Sequence, residues 1–463
     1  SRASFMVFSS ILFLFRFMPI AFIVYYLTPR RYKNLVLFIE SIIFYSWGEV
    51  KYFPIMVASV LVDYIASKGI RLHRQNKAAC KGFLLMSVFF NLGMLFFFKY
   101  TDFFIQNINA VAGTSIPLLH LTLPLGISFY TFQTMSYTID VYRGDVEAEQ
   151  NIIDFAAFVV LFPQLIAGPI VRYTDINREL KERTMDLGQI QRGVETFILG
   201  LGRKVLLANN IGALWSEVEA MNYGSISTPL AWMGILAFSL QIYFDFSGYS
   251  LMAIGLGRML GFEFPQNFNH PYISRSVTEF WRRWHMTLGS WFREYLYIPL
   301  GGNRCSKARN FFNILVVWAC TGFWHGASWN FVLWGLFFFV FLVLEKSFLL
   351  PRLNRHPVLS RIYLLPLLLI SWTLFAITDF SLLGQYFHTM FVYQPGGDWV
   401  YYLRNYAVVL VLGILLSTPL LEWLGEKVSG HRWIRYSFLS VVLVVSIAYL
   451  VDATYNPFLY FRF

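Results

Sequence analysis

Long apolar runs separated by short polar or basic breaks recur along the whole chain. They lie near 8–28, 34–49, 53–69, 82–99, 121–139, 152–171, 229–258, 309–323, 326–349, 361–379, 404–423 and 435–453. A helix of about 20 apolar residues crosses a bilayer, so these twelve runs are candidate spans. Pro124-Leu125-Gly126 and Gly168-Pro169 interrupt two of them. Irregular backbone at membrane depth persists only where protein or a water-filled cavity satisfies its amides. One or two runs are therefore expected to be re-entrant, which gives ten to twelve spans. Two further segments, 185–205 and 276–300, read as amphipathic helices in or near the interface. Neither an internal repeat nor a linker divides the sequence. Residues 1–463 are expected to form one all-α polytopic membrane domain.

Composition strengthens that reading. Of 463 residues, 57% are hydrophobic, 19% aromatic and 14% charged, whereas a soluble domain carries about 25% charged residues. This profile excludes a soluble enzyme, a disordered tail, a fibrous repeat and a disulfide scaffold. Lys and Arg number 37 against 26 Asp and Glu, a net charge of +11. Basic loops held at the anionic cytoplasmic face account for such an excess. No basic tract with stacking aromatics lies outside the apolar segments, so nucleic acid is not an expected partner; membrane lipid is. Cys80, Cys305 and Cys320 lack metal-ligand spacing and form no disulfide framework, so no metal is expected. The five residues before Met6 read as an expression scar. The run after Met6 lacks a small-residue cleavage site and reads as a first span.

The basic clusters suggest an orientation. Arg30, Arg31 and Lys33 follow the first run, and Lys68, Arg71, Arg74, Lys77 and Lys81 follow the third. Both are cytoplasmic if the first run enters from outside. The stretch Arg275 to Arg309 is richer still, with Arg282, Arg283, Arg293, Arg304, Lys307 and Arg309. Its charge assigns it to the cytoplasmic side.

Chemistry concentrates in three places. Ser276 to His285 opens with a capping-box pattern, Ser276 with Glu279. Helical spacing puts Phe280, Trp284, Leu288, Trp291 and Tyr295 on one face, and Glu279, Arg282, Arg283, Ser290 and Arg293 on the other. Glu279 and Arg283 form an i,i+4 pair, and His285 lies at the seam. A Pro/Gly turn, Ile298 to Arg304, ends this helix. An interfacial helix with aromatic anchors and an incidental histidine explains the same pattern. The second place is Thr321 to Asn330, where His325 sits between two apolar runs. An ionisable group at that depth needs a partner, and Gly322 and Gly326 let a backbone or a thin substrate approach. A satisfied structural histidine fits equally well. Burial favours neutral imidazole, which can accept a proton as a general base. The other histidines, His73, His120, His270, His356, His388 and His431, read as surface groups. The third place is Gln241 to Ser250, an apolar run holding Asp245. An ion pair of Asp245 with Arg282 or Arg293 is the expected structural role. The break Leu161 to Ile170 reads as architectural.

Taken together, Phe162 to Pro169, Tyr243 to Ser250, Glu279 to His285 and Gly322 to Gly326 resemble the membrane-bound O-acyltransferase family. The resemblance runs from Met6-Val7-Phe8-Ser9-Ser10 to Pro457-Phe458-Leu459-Tyr460-Phe461-Arg462-Phe463. It is stronger toward the bacterial branch that acetylates alginate, peptidoglycan or cellulose than toward the one that D-alanylates teichoic acids. It implies tilted helices around a central tunnel, in the bacterial cytoplasmic (inner) membrane. The family's motif histidine falls on His325 and its second position on His285.

The implied reaction is transfer of an acetyl group from a cytoplasmic thioester, acetyl-CoA being the expected donor and no cofactor being held permanently. The acceptor is a hydroxyl on the far side, of an extracytoplasmic polysaccharide or of a serine in a partner protein of the SGNH-hydrolase type that passes the group to that polysaccharide. His325 would take the proton of the attacking hydroxyl, and His285 would orient it or steady the oxyanion if protonated. An acetyl-His325 intermediate stays open. Donor or substrate contacts are expected from Trp324, Arg282, Arg293, Asn303, Asp245 and Tyr249. A transporter or channel would also explain buried His and Asp, but it predicts two related halves, which the sequence lacks. A scaffold that anchors a secreted transferase would tolerate loss of both histidines.

Overall fold

The structure, a computed structural model, describes residues 6–47, 50–453 and 459. Residues 1–5, read above as an expression scar, and the terminal motif other than Leu459 lie outside the described residues. Regular structure there is helical throughout. Eight helices are long and apolar enough to cross a membrane among the described residues. Seven coincide with apolar runs of the sequence, and the eighth, Leu187–Glu219, does not.

The chain divides into two compact units. The first holds residues 1–197 and 250–265. Its helices are α1 (Phe13–Leu27), α2 (Lys33–Ser46), α3 (Val50–Leu72), α4 (Lys77–Ala112), α5 (Ile127–Arg143), α6 (Ile152–Val160) and α7 (Tyr173–Glu182). Helices α3, α4 and α5 pack on one another around a buried polar knot. Asp63 of α3 accepts from Ser87 and Asn91 of α4 and from Thr138 of α5, the last two at 2.9 and 2.6 Å. Both interruptions foreseen from Gly and Pro are present. Gly126 has φ +74°, and a side chain there would lie 2.9 Å from the Leu165 carbonyl. The buried segment after α6 satisfies its backbone locally. The Phe162 amide donates to Ser41 Oγ at 3.0 Å, and the Gln164 side chain donates to the Phe158 carbonyl at 3.1 Å. These breaks cut short the runs at 121–139 and 152–171, whose helices have 17 and 9 residues.

The second unit holds residues 198–249 and 266–463. It takes in the later part of α8 (Leu187–Glu219) and most of α9 (Thr228–Leu260). Then follow α10 (Val277–Arg283), α11 (Met286–Phe292), α12 (Lys307–His325), α13 (Trp329–Arg355), α14 (Pro357–Ala376), α15 (Phe380–Phe391), α16 (Asp398–Leu416), α17 (Leu420–Lys427) and α18 (Arg432–Asp452). Helix α9 is 83% buried over its most apolar window, against 11% for α16. The apolar side chains of α16 and α18 therefore face outward, as lipid-facing helices do, while α9 is interior.

Two expectations are corrected here. Residues 187–205 of the segment 185–205 belong to α8, a 33-residue helix long and apolar enough to cross a membrane and not a separate short helix. The segment's last two charges are partnered inside protein: Lys204 is buried against Asp245, and Arg203 donates to the Tyr243 and Ser247 hydroxyls at 3.3 Å each. Segment 276–300 is not one helix. It breaks between α10 and α11 at Trp284-His285, where tertiary hydrogen bonds replace helical ones.

Candidate functional site

Helix α9 brings a polar face into the interior of the second unit. Asp245 pairs with Lys204, Oδ1 to Nζ 2.9 Å, with both side chains almost fully buried. The Lys204 ammonium also donates to Asn209 Oδ1 at 2.8 Å, and Asp245 Oδ2 accepts from the Leu459 amide at 2.9 Å. The expected partners Arg282 and Arg293 are not involved. Arg282 is exposed, and Arg293 faces Glu294 at 3.6 Å. A buried ion pair deprived of one member leaves an uncompensated charge. Lys204→Met is therefore expected to lower stability by about 3–5 kcal/mol, read as a drop in unfolding temperature in detergent. The double replacement Lys204→Met, Asp245→Leu should recover most of it.

The segment preceding α10 holds the helix break. The Met286 amide donates to the Asn267 carbonyl at 2.9 Å, and the Asn269 amide donates to the Arg283 carbonyl at 2.9 Å. Asn267 Oδ1 also accepts from the Thr287 amide and hydroxyl, at 3.2 and 2.9 Å. These bonds force His285 into the left-handed region, φ 46° and ψ 55°. A non-glycine residue there costs about 1–2 kcal/mol. Such strain persists where the surroundings over-determine it and concentrates at functional sites. Within α10 the Ser276 hydroxyl accepts from the Glu279 amide at 3.0 Å, while Glu279 reaches back to the Arg275 amide rather than to that of Ser276. Glu279 and Arg283 form the i,i+4 pair, at 3.2 Å.

His325 is the last residue of α12, and Gly326 is extended. A helical hairpin with α13 follows, packed backbone to backbone. A methyl on Gly322 would lie 2.3 Å from the Phe331 carbonyl, and one on Gly335 would lie 2.3 Å from the Trp318 carbonyl. Asn330 donates to the Leu374 and Phe375 carbonyls at 3.0 and 3.2 Å. That bond pair fixes the end of α14, so Phe375 packs 5.5 Å from the His325 ring.

The two histidines meet. Their ring centroids are 6.5 Å apart, and both side chains are buried. Trp324 touches both, at 5.9 Å from His285 and 5.0 Å from His325. Phe246 closes one side, 4.6 Å from His285, and Trp334 the other, 5.0 Å from His325. An oxygen hydrogen-bonded to one nitrogen of each ring holds two imidazole centroids at most about 8 Å apart. The observed spacing therefore suits one hydroxyl oxygen shared by both rings. His285 lies outside the candidate spans, and burial pushes its imidazole down to about 3, so it is neutral. A protonated His285 is not the form this site favours. Because the folded value lies below the unfolded value of about 6.5, the neutral ring contributes stability that is present above that pH. This contribution is lost as pH falls toward 3. His285→Asn, which tolerates left-handed backbone, should lose less stability on acidification over that window than the parent chain, measured by thermal unfolding at stepped pH.

The structure brings together His285, His325 and Trp324 of the predicted set. Asp245 and Tyr249 lie one turn apart, buried on α9. Arg282, Arg293 and Asn303 are exposed, unlike the buried histidine pair. His270 departs from the surface reading: it is largely buried and lies 3.2 Å from Glu422. The other five histidines read as surface groups are exposed. Asn267, Lys204 and Glu345 were not foreseen. Glu345 had a signal, since it is an acid closing a 16-residue apolar helical stretch. Lys204 and Asn267 had none beyond their polarity.

Comparison with known proteins identifies the family. The model of the membrane-bound O-acyltransferase family matches residues 147–364, a range that contains both histidines. The chain is 38% identical to a probable alginate O-acetylase, AlgI, of Azotobacter vinelandii, over 92% of this chain and 85% of that one. It is 36% identical to the protein of that name from Pseudomonas putida, over 99% of this chain and 100% of that one. It is 35% identical to the peptidoglycan O-acetyltransferase of Helicobacter pylori, over 78% of this chain and 74% of that one.

Proposed function

Because this chain belongs to the membrane-bound O-acyltransferase family, we propose that it moves an acetyl group from acetyl-CoA to an extracytoplasmic polysaccharide through the His285–His325 pair. It is an O-acyltransferase and a multi-pass membrane protein. The finer reading rests on one observation: two buried imidazoles 6.5 Å apart inside an aromatic enclosure.

His325 accepts the proton of the attacking hydroxyl as its oxygen adds to the thioester carbonyl. The carbon–oxygen bond forms, the carbon–sulfur bond breaks, and the leaving thiolate takes the proton to give free CoA. Neutral His285 holds the same hydroxyl and orients it toward the carbonyl. Trp324 excludes water from both rings. The exposed arginines of the Arg275 to Arg309 stretch suit the phosphates of an anionic carrier, which is where Arg282 and Arg293 would act. The final acceptor is a hydroxyl of an alginate-like polymer, of peptidoglycan or of cellulose. An extracytoplasmic transferase of the SGNH type receives the acetyl group for delivery. The similarity to alginate O-acetylases favours the first polymer. The membrane is the bacterial inner membrane.

The test is thioester cleavage by the purified full chain in lipid vesicles, supplied with acetyl-CoA and followed with a thiol reagent. Thiol release that depends on His325 supports the reading. Movement of acetate or acetyl-CoA across the bilayer with the thioester intact would instead support a transporter.

A further inference from the structure

Helix α10 carries His285 just past its end, and something must set its height against α13. The first amides of a helix have no partner within it. Here the first two are taken by one side chain. Val277 donates to Glu345 Oε2 at 2.8 Å, and Thr278 donates to Glu345 Oε1 at 2.9 Å. The Thr278 hydroxyl adds a bond to Oε1 at 2.8 Å, and the Tyr363 hydroxyl one to Oε2 at 2.9 Å. Glu345 is fully buried. It opens a five-residue π-helical turn, Glu345–Leu349, within α13, and such turns are frequent at functional sites.

The two helices run antiparallel, and contacts at three levels follow from the start of α10 to His285. Val277 and Thr278 meet Glu345 at one level. Trp281 meets Phe338 and Trp334 at the next, at 5.0 and 5.5 Å. At the last level His285, past the end of α10, meets His325, which ends α12 beside Trp334 of α13. We propose that Glu345 is a positioning residue: it pins the start of α10 to α13 and so sets the register at which His285 reaches His325. The proposal rests on reading the two histidines as the transfer centre. A carboxylate accepts all four bonds and carries negative charge at a helix N-terminus, where it is favoured. Glutamine keeps the shape but turns N–H donors toward backbone N–H donors.

The experiment compares Glu345→Gln in the parent chain and in a His285→Ala background, using the full chain and acetyl-CoA cleavage as the readout. Hydrogen exchange of peptides covering 277–286 is followed alongside. In the parent, kcat should fall roughly 10–100-fold, as expected for a displacement of about 1 Å, with KM for acetyl-CoA unchanged. In His285→Ala the further loss should be under about twofold, because there is no second imidazole left to misplace. Exchange over 277–286 should accelerate while 310–325 stays protected. Glu345→Asp, charged but one methylene shorter, should recover part of kcat. If Glu345→Gln does not elute as a single species, Thr278→Val removes one of the four bonds and is read in the same way. Equal losses in both backgrounds, unchanged kcat or unchanged exchange each overturn the proposal. Cleavage of acetyl-CoA by His325→Ala at the parent rate would overturn the transfer reading and the kinetic claim with it. The exchange data would still show whether Glu345 holds α10.

Discussion

Replacing His325 by alanine is expected to lower acyl transfer from acetyl-CoA by roughly 10²–10⁴-fold, the usual worth of a positioned general base. The ring it removes is packed against Trp324, Trp334 and Phe375. Alanine therefore also leaves a cavity, and part of any loss reflects looser packing. His325→Gln separates the two effects. It fills most of the space and offers polar atoms, yet it cannot take a proton at neutral pH. Its transfer rate should be as low as that of the alanine variant, while its melting temperature in detergent stays near that of the parent. His285→Ala should cost less, because the neutral ring orients the hydroxyl and does not accept its proton. Unimpaired transfer by either His325 variant would sink the assignment.

The second large effect concerns the hairpin that presents His325. Gly335→Ala places a methyl 2.3 Å from the Trp318 carbonyl, with the Gly322 Cα at 3.3 Å. Backbone stands on both sides, so relief requires the helices themselves to separate. Small residues at such contacts are what let two membrane helices approach. Overpacking of this kind costs about 1–3 kcal/mol. Moving the last turn of α12 by about 1 Å would cost a further hundredfold or so in rate. Gly384 on α15 is the control: a methyl there meets nothing within 4 Å. Gly384→Ala should stabilise by about 0.5–1 kcal/mol and leave transfer unchanged. A Gly335→Ala chain with normal stability and rate would mean that the hairpin is not rigid at this contact.

The histidine-bearing motifs were legible from sequence because each chemical group sat where its neighbours made it costly. His325 lies between two apolar runs, and Asp245 lies in a third. What periodicity could not supply was the choice of partner. Asp245 pairs with Lys204, forty-one positions away, and no spacing rule selects Lys204 over Arg282. The 3.6-residue pattern across 276–300 predicted one helix, because Trp284 and Leu288 keep the phase. The backbone breaks there anyway, since Asn267 and Asn269 offer Arg283 and Met286 hydrogen bonds from another segment. Long-range bonds of that kind leave no local trace. The same is true of α8, whose charges suggested a helix floating at the interface. Two apolar runs fall short of a span for a related reason: the Pro and Gly breaks end their helices early, so an apolar run is not always a span.

The knot around Asp63 bears on how the chain enters the bilayer. An acid at the centre of an isolated apolar helix costs about 2.5–3.5 kcal/mol to insert, and α3 meets none of its partners within its own sequence. Ser87 and Asn91 emerge from the ribosome about a helix later, and Thr138 later still. Helix α3 is thus a poor insertion substrate until α4 follows it, which ties the biogenesis of the first helices into a single step. In nascent chains whose emerged part ends before residue 87, a thiol introduced in α3 should react with a water-borne reagent, and in those emerged beyond residue 140 it should be protected.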